Sequence, residues 1–167
     1  GHFMLRVRVT NGIATAPQFR EFARITREFG RGFAELTTRQ QVQLRWMTID
    51  QIPAILDALK AVGLTTMQTG MDNIRNVIGC AVAGLTPREL VDASPVVEEF
   101  TNVFLRNKAF TNLPRKFKVA FESTADSDRA RIGIHDLGFR ATSRVVNGKT
   151  EYGFITTVGG GLGSMPF

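Results

Sequence analysis

Cysteine is almost missing from this 167-residue chain: Cys80 is the single one, and it is joined by only two histidines, one tryptophan and one tyrosine. One cysteine excludes a disulfide framework closed within the chain and any metal centre built from four of its own thiolates. With so few histidines a structural zinc site is not expected either, and no residue is assigned as a metal ligand. A redox metal acting here must be held by other protein segments or by a macrocycle. No apolar run approaches the roughly 20 residues that a membrane helix needs, so no membrane partner is expected. The opening Gly1-His2-Phe3-Met4-Leu5-Arg6 brings charge at once and has no apolar signal-peptide core, which makes a cytoplasmic location the expectation.

At 43% hydrophobic and 22% charged, the composition is that of an ordinary globular protein with a real core. Lys and Arg number 21 against 15 Asp and Glu, a net charge of +6, which favours anionic partners through long-range attraction. Nucleic acid is disfavoured: the basic residues are scattered through hydrophobic segments, and the 13 Phe recur at core spacings, not as a base-stacking platform.

Phe3 to Thr10 alternates. Phe3, Leu5, Val7 and Val9 share one face, and Met4, Arg6, Arg8 and Thr10 the other, which predicts a strand with a basic second face. Asn11-Gly12 turns the chain. Thr15 is a good N-cap, Pro17 is tolerated in a first helical turn, Phe19, Phe22, Ala23 and Phe29 recur at helical spacing, and Gly30 is a stop. Strands are expected near Phe33–Thr37 and at Gln41–Met47, where Val42, Leu44 and Trp46 alternate with Gln43 and Arg45. Asp50 is the expected cap of a second helix with Ile52, Ile55, Leu56 and Leu59 on its apolar stripe, ending at Gly63. A short strand at Thr65–Thr69 completes a βαββαβ order, the ferredoxin-like arrangement.

The polar stretch Gly70–Gly84 reads as a boundary loop. Thr86-Pro87-Arg88-Glu89 has the pattern of a capping box, Ser94-Pro95 opens a helix with Val97, Phe100 and Phe104, and Lys116–Glu122 alternates as a strand. Asn147-Gly148 between Ala141–Val146 and Glu151–Val158 is a hairpin signal. The last run looks like a buried strand, and a glycine-rich stretch, Gly159–Gly163, follows it. A chain stopping there reads as cut from something longer.

Four basic segments are the candidate chemistry: Arg6 with Arg8, Thr37-Thr38-Arg39-Gln40 with Gln43 and Arg45, Asn73-Ile74-Arg75-Asn76, and Lys116 with Lys118. Converging, they would bind a polyanion, because Arg grips carboxylates bidentately and Lys is a compact, proton-bearing charge. His135, beside Asp136, reads as a structural hydrogen-bonder and Cys80 as a small buried residue.

Met4-Leu5-Arg6-Val7-Arg8, Leu36-Thr37-Thr38-Arg39-Gln40, Asn73-Ile74-Arg75-Asn76, Leu113-Pro114-Arg115-Lys116-Phe117-Lys118 and Val158-Gly159-Gly160-Gly161-Leu162 occur in that order. Together they resemble the sirohaem-dependent nitrite/sulfite reductase family along nearly the whole chain. The resemblance implies an α+β fold, with a ferredoxin-like half-domain over residues 1–70 and the N-terminal part of a mixed α/β sirohaem/4Fe-4S domain over 71–167. It implies a sirohaem coupled to a 4Fe-4S cluster, six-electron reduction of sulfite or nitrite, and an electron donor such as ferredoxin. Arg6, Arg75, Lys116 and Lys118 would face the bound anion as the catalytic set. Thr37, Arg39, Gln43 and Arg45 would hold sirohaem carboxylates, with Arg45 standing where some relatives have His. The cluster's cysteines would belong to a C-terminal half that is absent here, so this chain alone is expected to be inactive; a homodimer of it, through an unpaired sheet edge or an apolar face, is a further outcome to test. Lys116-Phe117-Lys118 leans toward sulfite, and Gly70-Met71-Asp72-Asn73 toward nitrite. The competing expectation is a standalone ferredoxin-like module that binds an anionic ligand or RNA without redox activity.

Overall fold

A computed structural model describes residues 1–161 of the chain, and the last part of the glycine-rich stretch, from Leu162, lies outside the described residues. The first layer is a three-stranded antiparallel sheet in the order β1 (Phe3–Val7), β3 (Val42–Met47), β2 (Ala34–Leu36). Helices α1 (Ala16–Phe29) and α2 (Ile52–Ala61) bury Phe22, Ile25, Ile55 and Leu59 against Val7, Val42, Leu44 and Met47. The local chemistry of α1 follows the sequence. The Thr15 amide donates to Gln18 Oε1 at 2.9 Å and the Thr15 hydroxyl accepts from Gln18 N at 3.4 Å, so two orphan amides of the first turn are satisfied. At the other end Gly30 N donates to Thr26 O at 3.1 Å. The order β1-α1-β2-β3-α2 is that of a ferredoxin-like half-domain, and the whole is a mixed α+β fold.

The structure corrects several expectations here. The strand foreseen at Thr65–Thr69 is reduced to one bridge, Thr65 to Arg8, beside β1. Thr48, not Asp50, opens the turn before α2, its amide donating to Gln51 Oε1 at 2.9 Å. Trp46 leaves the core face: its φ is 70°, and pairing slips between Phe3↔Met47 and Met4↔Arg45. This is a bulge, in which one extra residue flips the alternation. Met47 is therefore fully buried, while Trp46 lies outside under the Arg31 guanidinium, 3.7 Å above its ring.

The second layer is a sheet in the order β4 (Val119–Glu122), β5 (Leu137–Val146), β6 (Lys149–Val158), with β4 and β5 parallel. The β5–β6 hairpin turns on Asn147 and Gly148, φ 53° and 76°. Two positive φ values make the mirror-image turn that matches strand twist. Helix α3 (Ser94–Phe104) packs Val97 and Phe100 on Phe121 and Phe139.

Residues 73–80 are not an open polar loop but a buried extended segment. It runs parallel to β4 on the side away from β5, through Arg75 N to Phe117 O (2.9 Å), Ile78 N to Val119 O (3.2 Å) and Phe121 N to Ile78 O (2.8 Å). The capping-box pattern at Thr86 makes no helix: Glu89 bridges to Thr124 and its carboxylate accepts from Gly84 N at 2.6 Å. Strand pairing across the fold overrides the local signal. The strand read as buried, β6, is largely exposed, with Tyr152, Ile155 and Val158 on its surface. No helix of the described residues is long and apolar enough to cross a membrane.

Candidate anion-binding site

The site forms where the turn between β2 and β3 meets the 73–80 segment. Gln40 makes a two-way clamp on Gly79: its Nε2 donates to Gly79 O at 3.0 Å, and Gly79 N donates to its Oε1 at 3.1 Å. Asn76 Nδ2 donates to Arg39 O at 2.9 Å and to Val9 O at 2.8 Å. These bonds fix Arg39 against the second layer. A side chain at Gly79 would overlap Asn11 Oδ1, so the close approach requires glycine there.

A cavity of about 600 Å³ opens at this junction. Arg39, Lys116, Lys118, Arg129 and Arg131 all line it, together with Thr38, Gln40 and His135. Only Lys118 among those five cations has a carboxylate partner among the described residues: its Nζ is 3.2 Å from Asp136 Oδ2. Asp136 Oδ2 also accepts the Lys118 amide at 2.8 Å, so one carboxylate fixes both backbone and ammonium. Next to the cavity, burial and the charges of Arg39 and Arg6 push the Arg75 guanidinium below its ordinary pKa, against a weaker pull from Asp72. Arg6 Nη1 donates to Thr69 O at 3.1 Å and Arg75 Nη1 to Met71 O at 2.9 Å, but the Nε atoms of both are buried without a partner among the described residues. Buried, unpaired guanidinium donors next to unneutralised cations call for an anion.

Arg8 is different from Arg6. Its guanidinium is buried and donates to four carbonyls, those of Met67, Gln68, Ile74 and Arg75. Burial and repulsion from Arg75 lower its pKa to about 10. Arg8 thus ties the Arg75 segment to β1 and is not an anion-site residue. Among the described residues it is the only cation lining a second cavity, of about 490 Å³, between α1 and α3.

Profiles of known families match both layers. The nitrite/sulfite reductase ferredoxin-like half domain matches residues 1–62, and the nitrite and sulphite reductase 4Fe-4S domain matches residues 70–167. The chain belongs to the nitrite/sulfite reductase family. An assimilatory ferredoxin-dependent nitrite reductase of Haloferax mediterranei is 36% identical over 98% of this chain and 29% of its own length. A chloroplastic ferredoxin–nitrite reductase of Zea mays is 41% identical over 96% of this chain and 28% of its own. The structure of the Mycobacterium tuberculosis NirA protein superposes with a TM-score of 0.88 at 33% identity, covering 99% of this chain and 29% of that one. A dissimilatory sulfite reductase I structure, at 14% identity and a TM-score of 0.70, shares the fold. This member of the family spans under a third of the length of those curated relatives.

Of the residues that the family resemblance singled out, Arg39, Lys116 and Lys118 share the cavity; Arg6 and Arg75 do not line it, but Arg75 feels the charges of both Arg39 and Arg6. Gln43 lies beside Arg6 as its cross-strand partner and accepts from Arg45 Nη2 at 3.2 Å. Arg45 is already paired with Glu35 at 2.7 Å, and Thr37 Oγ1 accepts Gln41 N at 3.1 Å; neither lines the cavity. Sequence reading missed Arg129 and Arg131, which carry no motif, and the clamp role of Gln40 and Asn76. The signal for the latter was their place inside two of the motifs. A family cofactor with several carboxylates fits this donor set, because the cations outnumber the acids that could neutralise them.

His135 is the structural hydrogen-bonder that its context suggested. Its Nδ1–H donates to Arg131 O at 2.8 Å in a buried site. Burial lowers its pKa from 6.5 and the charges of Lys118 and Arg39 push the same way, against the Arg131 carbonyl and Asp136. A depressed imidazole pKa means that the unfolded chain takes up the proton first, so this contribution to stability is complete above pH 6.5 and is lost as pH falls below it. Unfolding temperature should therefore drop as pH falls below 6.5, and His135→Gln should flatten that slope. An unchanged slope in the variant removes His135 as its cause.

Proposed function

We propose that this chain supplies anion-binding residues of a sirohaem-dependent, ferredoxin-type reductase that takes nitrite to ammonia. The division near residue 70 separates a ferredoxin-like half-domain from the first part of the sirohaem/4Fe-4S domain. The observation that carries the reading is the cavity of about 600 Å³ lined by five cations, four of them without a carboxylate partner among the described residues. Two nitrite reductases at 36% and 41% identity favour nitrite. Lys116 and Lys118, which both line the cavity, keep sulfite as the second substrate to test.

Arg39 holds carboxylates of the macrocycle and orients them by charge-assisted hydrogen bonds, while Arg6 and Arg75 belong with the two lysines to the set that meets the substrate anion. When bound, sirohaem and the cluster supply the electrons. Lys118, oriented by Asp136, holds a proton at Nζ beside the substrate anion and stabilises charge on its oxygens as the bonds weaken. Lys116, more exposed, adds cationic field at the cavity mouth. Cys80, the one cysteine, is buried and supplies no cluster ligand set, so the cluster's thiolates come from other residues of the complete protein.

The deciding experiment is the visible spectrum and turnover of the complete protein with reduced ferredoxin, nitrite and sulfite in separate arms. Sirohaem absorption with nitrite consumption supports the proposal. A preference for sulfite corrects the substrate, and a colourless protein without turnover overturns it.

A further inference from the structure

The segment from Thr124 to Arg131 is built around a single buried carboxylate. Glu122, at the end of β4, has no solvent exposure. Its Oε1 accepts from Thr124 N at 3.3 Å and Thr124 Oγ1 at 3.0 Å, and its Oε2 from Arg129 N at 2.8 Å and Ala130 N at 3.1 Å. Burial alone would raise its pKa; the Cys80 thiol and the Ala130 and Thr124 donors outweigh burial and hold it below the ordinary value. The segment is fastened a second time by Asp128 Oδ1, which accepts Ile132 N at 2.7 Å, and by His135 on the Arg131 carbonyl. Arg131 sits in the left-handed region at φ 53° and ψ 50°, a conformation that is strained for a non-glycine residue and persists only where neighbours over-determine it.

The result of this fastening is that two arginines face the cavity. Both are exposed, both line it, and neither has a carboxylate partner among the described residues. Among the described residues Arg129 Nη1 donates only to Ser127 Oγ, at 2.8 Å. Nitrite or sulfite carries one or two charges, which Lys116 and Lys118 are enough to meet. Three further cations spread around the same opening match a ligand with several separated carboxylates, which guanidinium forks grip bidentately.

We infer that Arg129 and Arg131 are two further carboxylate-binding residues for the macrocycle, and that Glu122 is the positioning residue that presents them. This rests on the proposed function above. The test uses the complete, cofactor-loaded protein, with sirohaem retention read from the visible absorption that stays with protein after gel filtration at a series of salt concentrations. Arg129→Gln with Arg131→Gln should speed sirohaem loss about tenfold at low salt, since two partly exposed charge pairs are at stake, and should flatten its salt dependence because the screened contacts are gone. Nitrite affinity of the loaded fraction, from spectral titration, should stay within about twofold. Glu122→Gln should speed loss in the native background and add little on top of the arginine pair, a coupling that a general folding defect does not produce.

Wild-type retention in the arginine variant overturns the inference, as does weakened nitrite binding with retention intact, which would make the pair a small-anion site. Additive effects of Glu122→Gln overturn its positioning role. A wild-type protein that takes up no sirohaem is a different failure, that of the proposed function itself.

Discussion

Lys118→Gln in the complete, cofactor-loaded protein should lower kcat for nitrite by about 100- to 1,000-fold, the range seen when one preorganised donor to developing charge is removed. The expectation follows from the site. Lys118 is the cavity lysine with a fixed geometry: its side chain is 21% exposed and its ammonium is 3.2 Å from Asp136. Asp136 is itself tied to the Lys118 amide, so the ammonium does not have to be reoriented during turnover. Gln keeps a hydrogen-bond donor but has neither the charge nor a transferable proton, so the loss belongs in kcat more than in KM. Lys118→Arg separates the two functions. It retains charge, yet its proton is not released near neutral pH, so it should recover nitrite binding without recovering kcat. Steady-state kinetics at matched sirohaem content check both variants. A kcat for Lys118→Gln within about threefold of wild type takes Lys118 out of the catalytic set.

How much of this could be read before folding differs from residue to residue. The Thr15–Gln18 cap and the Asn147-Gly148 turn were legible because each is decided within a few residues by groups adjacent in sequence. The Trp46 flip was not, because it is set by how β3 registers on Phe3 and Met4, some forty residues away. The same reason explains Thr86–Glu89. Its local pattern is helical, but Glu89 pairs with Thr124 and Leu90 N donates to Ser123 O at 3.0 Å. Tertiary pairing overrides a weak local preference.

In the site, strand alternation placed Arg6 and Arg8 on one face, and their different fates come from what covers that face. The 67–75 segment closes over Arg8 with four carbonyls, while Arg6 Nε is left unpartnered. A period of two tells which side a residue is on, not what will meet it. Arg129 and Arg131 were invisible for a related reason: their position depends on a carboxylate seven and nine residues back that reads, in sequence, as one more charge at a strand end. Glu122 identifies itself only once it is seen buried with every acceptor occupied.

Phe121→Ala should destabilise the protein by about 3–5 kcal/mol, the largest expected loss from a single core truncation in the second layer. Phe121 is 1% exposed. It stacks on Phe139 with centroids 4.4 Å apart and meets Phe154 edge-on at 5.5 Å and Phe100 at 5.8 Å. Four rings from α3 and all three strands converge there, so truncation leaves a cavity whose walls are fixed by β-pairing and cannot collapse. Phe121→Leu keeps most of the volume and should cost under about 1.5 kcal/mol. Urea unfolding followed by circular dichroism measures both, and a midpoint shift at constant slope identifies a change in stability and not in compactness.

The loss should also be local before it is global. Phe121 N donates to Ile78 O, next to the Gly79 that Gln40 clamps, and β4 continues directly from Lys116 and Lys118. The core of the first layer, around Leu44, Ile55 and Ile25, is a separate cluster. Amide exchange in Phe121→Ala should therefore speed up at Ile78, Val119 and Phe121 more than at Val7 and Leu44, and nitrite binding should weaken while the first layer stays protected. Equal loss of protection in both layers would mean that they unfold as one unit, and that the anion site has no stability of its own apart from the fold as a whole.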